Sequence, residues 1–312
     1  MSDLRITNLC MVEPAAFGFN AETAVTNRFQ QQPDLPEAGT ATVALAEFAG
    51  LAGGLRAAGI GVCVVRDTPV PAKPDAVFPN NWVSFHADGT VVLYPMQSST
   101  RRPERREAVI ETVKRELGFV ERRRVDLSPA EQQGRFLEGT GSLVLDHQAR
   151  VVYACRSPRT DEALLREWAR RMDYEPFVFD AVTRDGTAVY HTNVLLWIGA
   201  NIAGAGLDWL PATQRALLLK RLEQSGKQVL SLDDAQLHAF AGNMLEVQSS
   251  PGQRHLVMSA SAAASLRPAQ QAAIRAAGCL PLVAAVPTIE RLGGGSVRCM
   301  LAEVPGMMAL AH

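Results

Sequence analysis

The chain has 312 residues, 47% of them hydrophobic and 20% charged, with a formal net charge of −1. That length can bury a large core, and the near-neutral balance excludes the strongly basic surfaces that nucleic acid or an anionic membrane would select. The five cysteines (Cys10, Cys63, Cys155, Cys279 and Cys299) are odd in number, scattered and never in CxxC spacing, which excludes a disulfide framework and a structural zinc site and points to reduced thiols in the cytoplasm.

In chain order, Asp3 and Arg5 stand where a signal peptide would need an apolar run, so no secretion is expected. Apolar spacing predicts a helix over 43–58 ending at Gly59, followed by strands GVCVVRD (61–67) and TVVLYPM (90–96). A helix over 103–117 opens with Pro103 in its first turn, buries Val109, Ile110, Val113 and Leu117, and stops at Gly118. The charged runs RRPERRE (101–107) and ERRR (121–124) are interleaved with glutamates and read as solvated helix faces, with Arg101 and Arg102 in the loop ahead of the helix. SLVLD (142–146) and RVVYACR (150–156) flank a tight polar turn and predict a hairpin. A helix over 161–172, strands PFVFDAV (176–182) and NVLLWIG (193–199), and a helix over 211–225 follow. The stretch containing NVLLWIG is interrupted by His191, Asn193 and Asn201 and makes a poor membrane span. Strands QVLSL (228–232), MLEVQS (244–249) and HLVMSA (255–260), a helix over 267–277, and strands LPLVAAV (280–286) and VRCMLAEV (297–304) complete the chain. Strand pairs separated by helices predict repeated ββα units, and with no linker to divide them, a single α/β domain over residues 1–312.

Three side chains carry the chemical signal. Cys299 sits in GGGSVRCMLAEV, at the third position of the expected last strand; alone, it would be a small buried hydrophobe. The three glycines before it precede no helix and no phosphate-reaching lysine, so they are not a phosphate loop. His191, at the start of the strand YHTNVLLWIG, would alone be a satisfied core histidine. Glu138, in RFLEGTGSLVLD just before a glycine-containing turn, is more informative, because carboxylates avoid such positions unless paired or functional. A thiol, an imidazole and a carboxylate at three strand ends supply a nucleophile, an acid/base and an orienting group. No metal-ligand spacing such as HExxH is present, and neither a metal nor an organic cofactor is expected.

The ordered set DAVFPNNW (75–82), FLEGTGS (136–142), SPRT (157–160), YHTN (190–193), FAGNML (240–245) and GGGSVRCM (293–300) resembles the guanidine-modifying (pentein) superfamily. Within it, the chain is most similar to the amidinotransferase-like branch that includes bacterial citrulline-utilisation hydrolases. The resemblance implies a five-bladed α/β propeller of ββα-type units with pseudo-fivefold symmetry. It also implies Cys299 as nucleophile, His191 as general acid/base and Glu138 as the carboxylate beside them. It places Asp75 at the substrate end, Asn80 and Asn81 where an acidic pair usually grips the guanidinium, and Arg101 and Arg159 on the substrate α-carboxylate. Asn243 lies in a loop that approaches the substrate, and Asn193 occupies a position that is aspartate in deiminases and amidinotransferases. Asparagine at 81 and 193 pairs with a neutral ureido group better than with a cationic guanidinium. The reaction so implied is hydrolysis of a carbon–nitrogen bond of a ureido or guanidino amino acid, citrulline first, giving ornithine, ammonia and carbon dioxide. The alternatives are amidino transfer or arginine deiminase-type chemistry on a guanidino substrate, and a non-catalytic binding protein on the same fold. The expected partner is the small amino-acid substrate, not nucleic acid or membrane, with homodimer formation left open.

Overall fold

The computed structural model describes residues 7–32, 37–250 and 252–306. Its strands are β1 (Thr7–Glu13), β2 (Gly61–Arg66), β3 (Val83–Phe85), β4 (Thr90–Leu93), β5 (Arg123–Asp126), β6 (Val144–Asp146), β7 (Val151–Cys155), β8 (Glu175–Phe179), β9 (Leu196–Ile198), β10 (Ile202–Ala205), β11 (Gln228–Ser231), β12 (Leu245–Gln248), β13 (Arg254–Ser259), β14 (Cys279–Ala284) and β15 (Ala302–Pro305). They form five three-stranded sheets, ordered β3-β4-β5, β6-β7-β8, β9-β10-β11, β12-β13-β14 and β15-β1-β2. In every sheet the first two strands are antiparallel and the middle strand runs parallel to the third. A parallel pair needs a crossover, and each crossover here is helical: Glu37–Ala57, Glu107–Leu117, Glu162–Met172, Ala212–Gln224, and Ala260–Ser265 with Pro268–Ala276. The repeat is thus ββαβ, one strand longer than the ββα unit expected. Its fifth copy is closed by the two ends of the chain, with β15 antiparallel to β1.

Local chemistry explains the helices. In Glu162–Met172 the Asp161 carboxylate caps the Leu164 N–H, while Leu164, Leu165, Trp168, Ala169 and Met172 make one buried face. Three expectations need correction. The helix expected at 103–117 starts at Glu107; Pro103 lies in a separate 3-10 turn, Ser99–Glu104, in which Arg101 and Glu104 are buried. The run ERRR is no helix face, since Arg123 and Arg124 open the edge strand β5 with only Val125 buried. Most consequentially, Cys299 is not on a strand. Residues 297–300 form a turn, and β15 begins three residues after the thiol.

The three glycines are also explained. Gly293 ends the helix Pro287–Gly293, and Gly294 caps it at φ 62°, the left-handed region that favours glycine. A Cβ on Gly295 would stand 3.3 Å from Cys299 Cβ, so the glycine lets the backbone pass tightly beside the nucleophile candidate. No helix among the described residues is long and apolar enough to cross a membrane.

Candidate active site

Seven of the ten candidate residues come from one recurring place in the repeat: the short turn that leads into the first strand of each sheet, or its flank. Asn80 and Asn81 lie in the 3-10 turn Pro79–Asn81 before β3. Glu138 precedes the helical turn Gly139–Ser142 before β6. His191 and Asn193 belong to the turn Thr192–Val194 and its N-terminal flank, before β9. Asn243 follows the turn at 239–242 before β12, and Cys299 sits in the turn before β15. All are buried. Close approach of these turns depends on glycine: a Cβ on Gly139 would meet Asn80 O at 2.1 Å, and one on Gly242 would meet Val194 O at 2.0 Å.

Glu138 is the electrostatic centre. Its Oε2 accepts from His191 Nε2 at 2.8 Å and from Arg159 Nη1 at 3.4 Å, while Oε1 accepts the Gln97 N–H at 3.0 Å. Burial pushes this carboxyl up, but Arg159 and the His191 hydrogen bond outweigh it and hold Glu138 well below the usual carboxylate range. His191 is the converse case. Burial pushes it down to about 4 against the pull of Glu138, so at neutral pH the imidazole is uncharged. With Nε2–H given to Glu138, Nδ1 is left basic. Nδ1 borders Gly141, where a Cβ would stand 2.8 Å from it and 2.5 Å from Asn81 Nδ2.

The thiol has different company. Cys299 Sγ lies 3.3 Å from Asn243 Nδ2 and 3.5 Å from Asn193 Nδ2, and its own N–H donates to Ser296 O. Burial pushes the thiol up, with the Asn243 contact opposing. Thiol and imidazole face one small cavity, which they line with Asp75, Asn81, Arg101, Arg159 and Tyr190. The free space there is of the order of a single water molecule.

Several of the buried polar atoms that lack a partner among the described residues belong to this site. Asp75 Oδ2 accepts from Asn20 Nδ2 at 2.8 Å and Thr23 Oγ1 at 3.2 Å, but Oδ1 is buried and unpaired. Burial pushes this carboxyl up, partly offset by Arg101. Asn81 Nδ2 and Asn80 Oδ1 are likewise buried and unpaired. A native protein rarely leaves such groups unmet, because each costs about 1–3 kcal/mol.

The two arginines expected on a substrate carboxylate differ. Arg101 spends its guanidinium inside the protein, on both oxygens of Glu104 at 2.9 Å, on Asn81 Oδ1 at 2.9 Å, and on the carbonyls of Asp75 and Phe78. Its Nε–H, its Nη2 group and one of the two Nη1 hydrogens are taken up in this way. Arg159 instead bonds Thr23 O at 2.9 Å and Thr26 Oγ1 at 2.7 Å, both on the segment that crosses the site near the N-terminus. Sequence reasoning missed that segment. Asn20, Thr23, Thr26 and Asn27 reach Asp75, Arg159 and the carbonyls of Gly293 and Gly294, with partners more than 50 residues away that no local pattern announces. It also missed Tyr190, whose hydroxyl donates to Gly294 O at 2.6 Å, and Glu104.

Comparison with known proteins bears on the fold and the family. The solved structures it resembles include the apo form of ArgZ, an arginine dihydrolase from the ornithine–ammonia cycle in Cyanobacteria, at a TM-score of 0.74 and 16% identity. AgrE in a ternary complex with ornithine and NAD+ superposes equally well, at 0.74 and 18% identity. This chain is covered over 97% and 98% of its length in those matches but spans only 41% and 40% of the two larger chains. A dimethylarginine dimethylaminohydrolase adduct with 4-chloro-2-hydroxymethylpyridine matches at 0.64 and 15% identity, covering 96% of this chain and 99% of that one. At such identities the likeness is one of fold. No curated protein matches the chain in sequence. The family model described as N,N dimethylarginine dimethylhydrolase, eukaryotic, matches residues 13–305. With nearly its whole length inside that match, the chain belongs to the N,N dimethylarginine dimethylhydrolase family of the guanidine-modifying pentein superfamily.

Proposed function

We propose that this protein hydrolyses the guanidino group of arginine or an N-methylated arginine through a covalent Cys299 intermediate. One observation carries the reading: a buried thiol, a neutral imidazole held by an ionised Glu138, and an unpaired Asp75 oxygen converge on one cavity. A guanidinium is a planar cation made of donors, and Asp75 Oδ1 is the acceptor that such a group needs.

The steps follow from the placement. His191 Nδ1 takes the thiol proton, and the thiolate attacks the guanidino carbon. His191 returns the proton to the departing amine, leaving an amidino group on sulfur. A water then gives a proton to His191 and its oxygen to the carbon, the C–S bond breaks, and a ureido product leaves. Glu138 keeps Nε2 protonated, so that Nδ1 is the working nitrogen, and stabilises the imidazolium between transfers. Arg159 takes the substrate carboxylate, exchanging the strap oxygens of Thr23 and Thr26 for two of the substrate's. Arg101 holds Asn81 and the Asp75 backbone in position. The five sheets of like topology, with candidate residues in the turns that lead into them, support a single catalytic unit built as a five-bladed propeller about a pseudo-fivefold axis.

A second reading is favoured by Asn81. Its Oδ1 is taken by Arg101, so it faces the cavity with a donor, Nδ2. A donor suits a ureido carbonyl and not a guanidinium. The same site would then hold the ureido product and carry hydrolysis on to the free amine, ammonia and carbon dioxide. Incubating the purified protein with arginine, N,N-dimethylarginine and citrulline, and quantifying amine, ammonia and ureido product, tests both. Ureido product from a guanidino substrate supports the first reading, and ornithine from citrulline supports the second. Release of neither ammonia nor amine from any of the three rejects both.

A further inference from the structure

We infer that Asn243 and Asn193 form a two-amide cradle that stabilises the Cys299 thiolate, acting on the nucleophile rather than on the substrate. In both side chains the nitrogen is nearer to Sγ than the oxygen, at 3.3 Å against 3.7 Å for Asn243 and 3.5 Å against 3.9 Å for Asn193. The Asn243 amide cannot turn over without cost. Its Nδ2 also donates to Asn193 O at 2.9 Å, and a flip would set two carbonyl oxygens against each other. Both side chains are only 1% exposed, so their N–H groups face the sulfur without competition from bulk water.

Of the charged neighbours, Arg298 also favours the thiolate through its charge, but each arginine here is engaged with partners of its own. Arg159 and Arg101 are paired with Glu138 and Glu104, and Arg298 donates to Leu301 O and Glu303. His191 is given to Glu138. Asp75 and the Tyr190 hydroxyl, also on the cavity wall, would repel or at best ignore an anion. When the thiol proton leaves for a base, the electron pair on Sγ is met by two N–H dipoles, which add hydrogen bonds to the charge of Arg298. The two asparagines come from the turns before β9 and β12, and the sulfur from the turn before β15, so three neighbouring repeats build one cradle.

The inference rests on Cys299 as nucleophile but not on any substrate, so its test is run without one. The thiolate absorbance near 240 nm is titrated for the whole protein and for a Cys299→Ser partner in the same background, and the difference gives the Cys299 midpoint. Asn243→Ala should raise that midpoint by about one pH unit, as expected for losing one hydrogen bond to an anion. Asn193→Ala should raise it by less, in line with its longer contact. Asn243→Asp, equal in size but acceptor-only when ionised, should raise it at least as much as Asn243→Ala. If Asn243 only anchors the Asn193 carbonyl, its substitution will lower the melting temperature while the midpoint stays put, and the inference is overturned. Should Asn243→Ala fail to fold, an unchanged midpoint in Asn193→Ala overturns it equally. A failed activity screen would leave these titrations standing.

Discussion

The cavity has two walls of opposite character. On one, Glu138 gathers His191, Arg159 and the Gln97 N–H, and Arg101 pairs with Glu104 close by. On the other, the Cys299 sulfur has the neutral amides of Asn193 and Asn243 within 3.5 Å. The charged wall can hold a proton in a chosen place because every charge on it is paired. The neutral wall meets the sulfur with two N–H donors, whereas an ion pair with a fixed cation would stabilise a thiolate but also make it a poorer attacking group.

Removing the nucleophile should have the largest effect. Cys299→Ser keeps nearly the same volume and leaves the fold intact, but its hydroxyl is far less acidic. Turnover should fall by roughly four to six orders of magnitude, as for other nucleophile deletions, with an unchanged melting temperature. Retained activity in that variant would remove the covalent mechanism and, with it, the distinction between the walls.

Next comes the charged wall. Glu138→Gln keeps a side-chain oxygen near His191 but deletes the anion that fixes its tautomer, and it leaves Arg159 buried without its partner. Turnover should drop by about 10³–10⁴, a size typical of deleting the carboxylate behind a catalytic histidine. The loss should not add to that of His191→Ala, since the two residues act as one unit. Strict additivity in the double variant would show that the Glu138–His191 contact is structural.

Arg101 sharpens the comparison further, because the same wall contains an arginine that spends most of its donors inside the protein. Arg101→Met leaves Glu104 buried without its partner and should cost about 3–5 kcal/mol of stability. The added change Glu104→Leu should restore much of that loss, as replacing a whole buried pair often does. Any fall in kcat/KM should be alike for arginine and for an alkylguanidine lacking the carboxylate. A loss confined to arginine would return Arg101 to the substrate carboxylate.

How far the sequence reveals this arrangement depends on the kind of signal. Helices such as Glu162–Met172 and Ala212–Gln224 fall within one residue of the expectation, since a cap and a 3.6-residue apolar stripe are local properties. The hairpin β6–β7 was equally plain. The turns that carry the chemistry were not. VRCMLAEV and NVLLWIG look like strands throughout because almost every residue in them is buried, which hides the period of two, and only backbone bonds such as Cys299 N–H to Ser296 O reveal a turn. The sequence reading sets Cys299, His191 and Glu138 at strand ends, whereas they belong to the turns before the strands or flank them. The edge strand β5 stayed hidden because three of its four residues are charged or polar and exposed. The strap around Asn20 and Thr26 gave no signal, since its meaning lies wholly in distant partners.

The smallest expected effect concerns a second buried histidine, which tests what Glu138 does for the first. His86 is as buried as His191 but has only the Ser84 hydroxyl, at 2.8 Å, where His191 has a carboxylate. Burial, with His147 adding to it, pushes His86 down to about 3 from 6.5. A base depressed in the folded state takes up its proton on unfolding, so its contribution to stability is full above pH 6.5. That contribution is lost as the pH falls from 6.5 towards 3, at up to roughly 1.4 kcal/mol per pH unit. Glu104, pushed up to about 7 by burial, acts in the opposite sense between its ordinary value and 7, so the curve of the intact protein is a sum of both. Subtraction isolates the histidine. His86→Gln keeps a partner for Ser84 but cannot take up a proton, so its denaturation midpoint should lose less between pH 6.5 and 5 than that of the unmodified protein. Parallel curves for the two would mean that His86 keeps an ordinary affinity for its proton, and that burial without a carboxylate does not keep a histidine neutral in this fold.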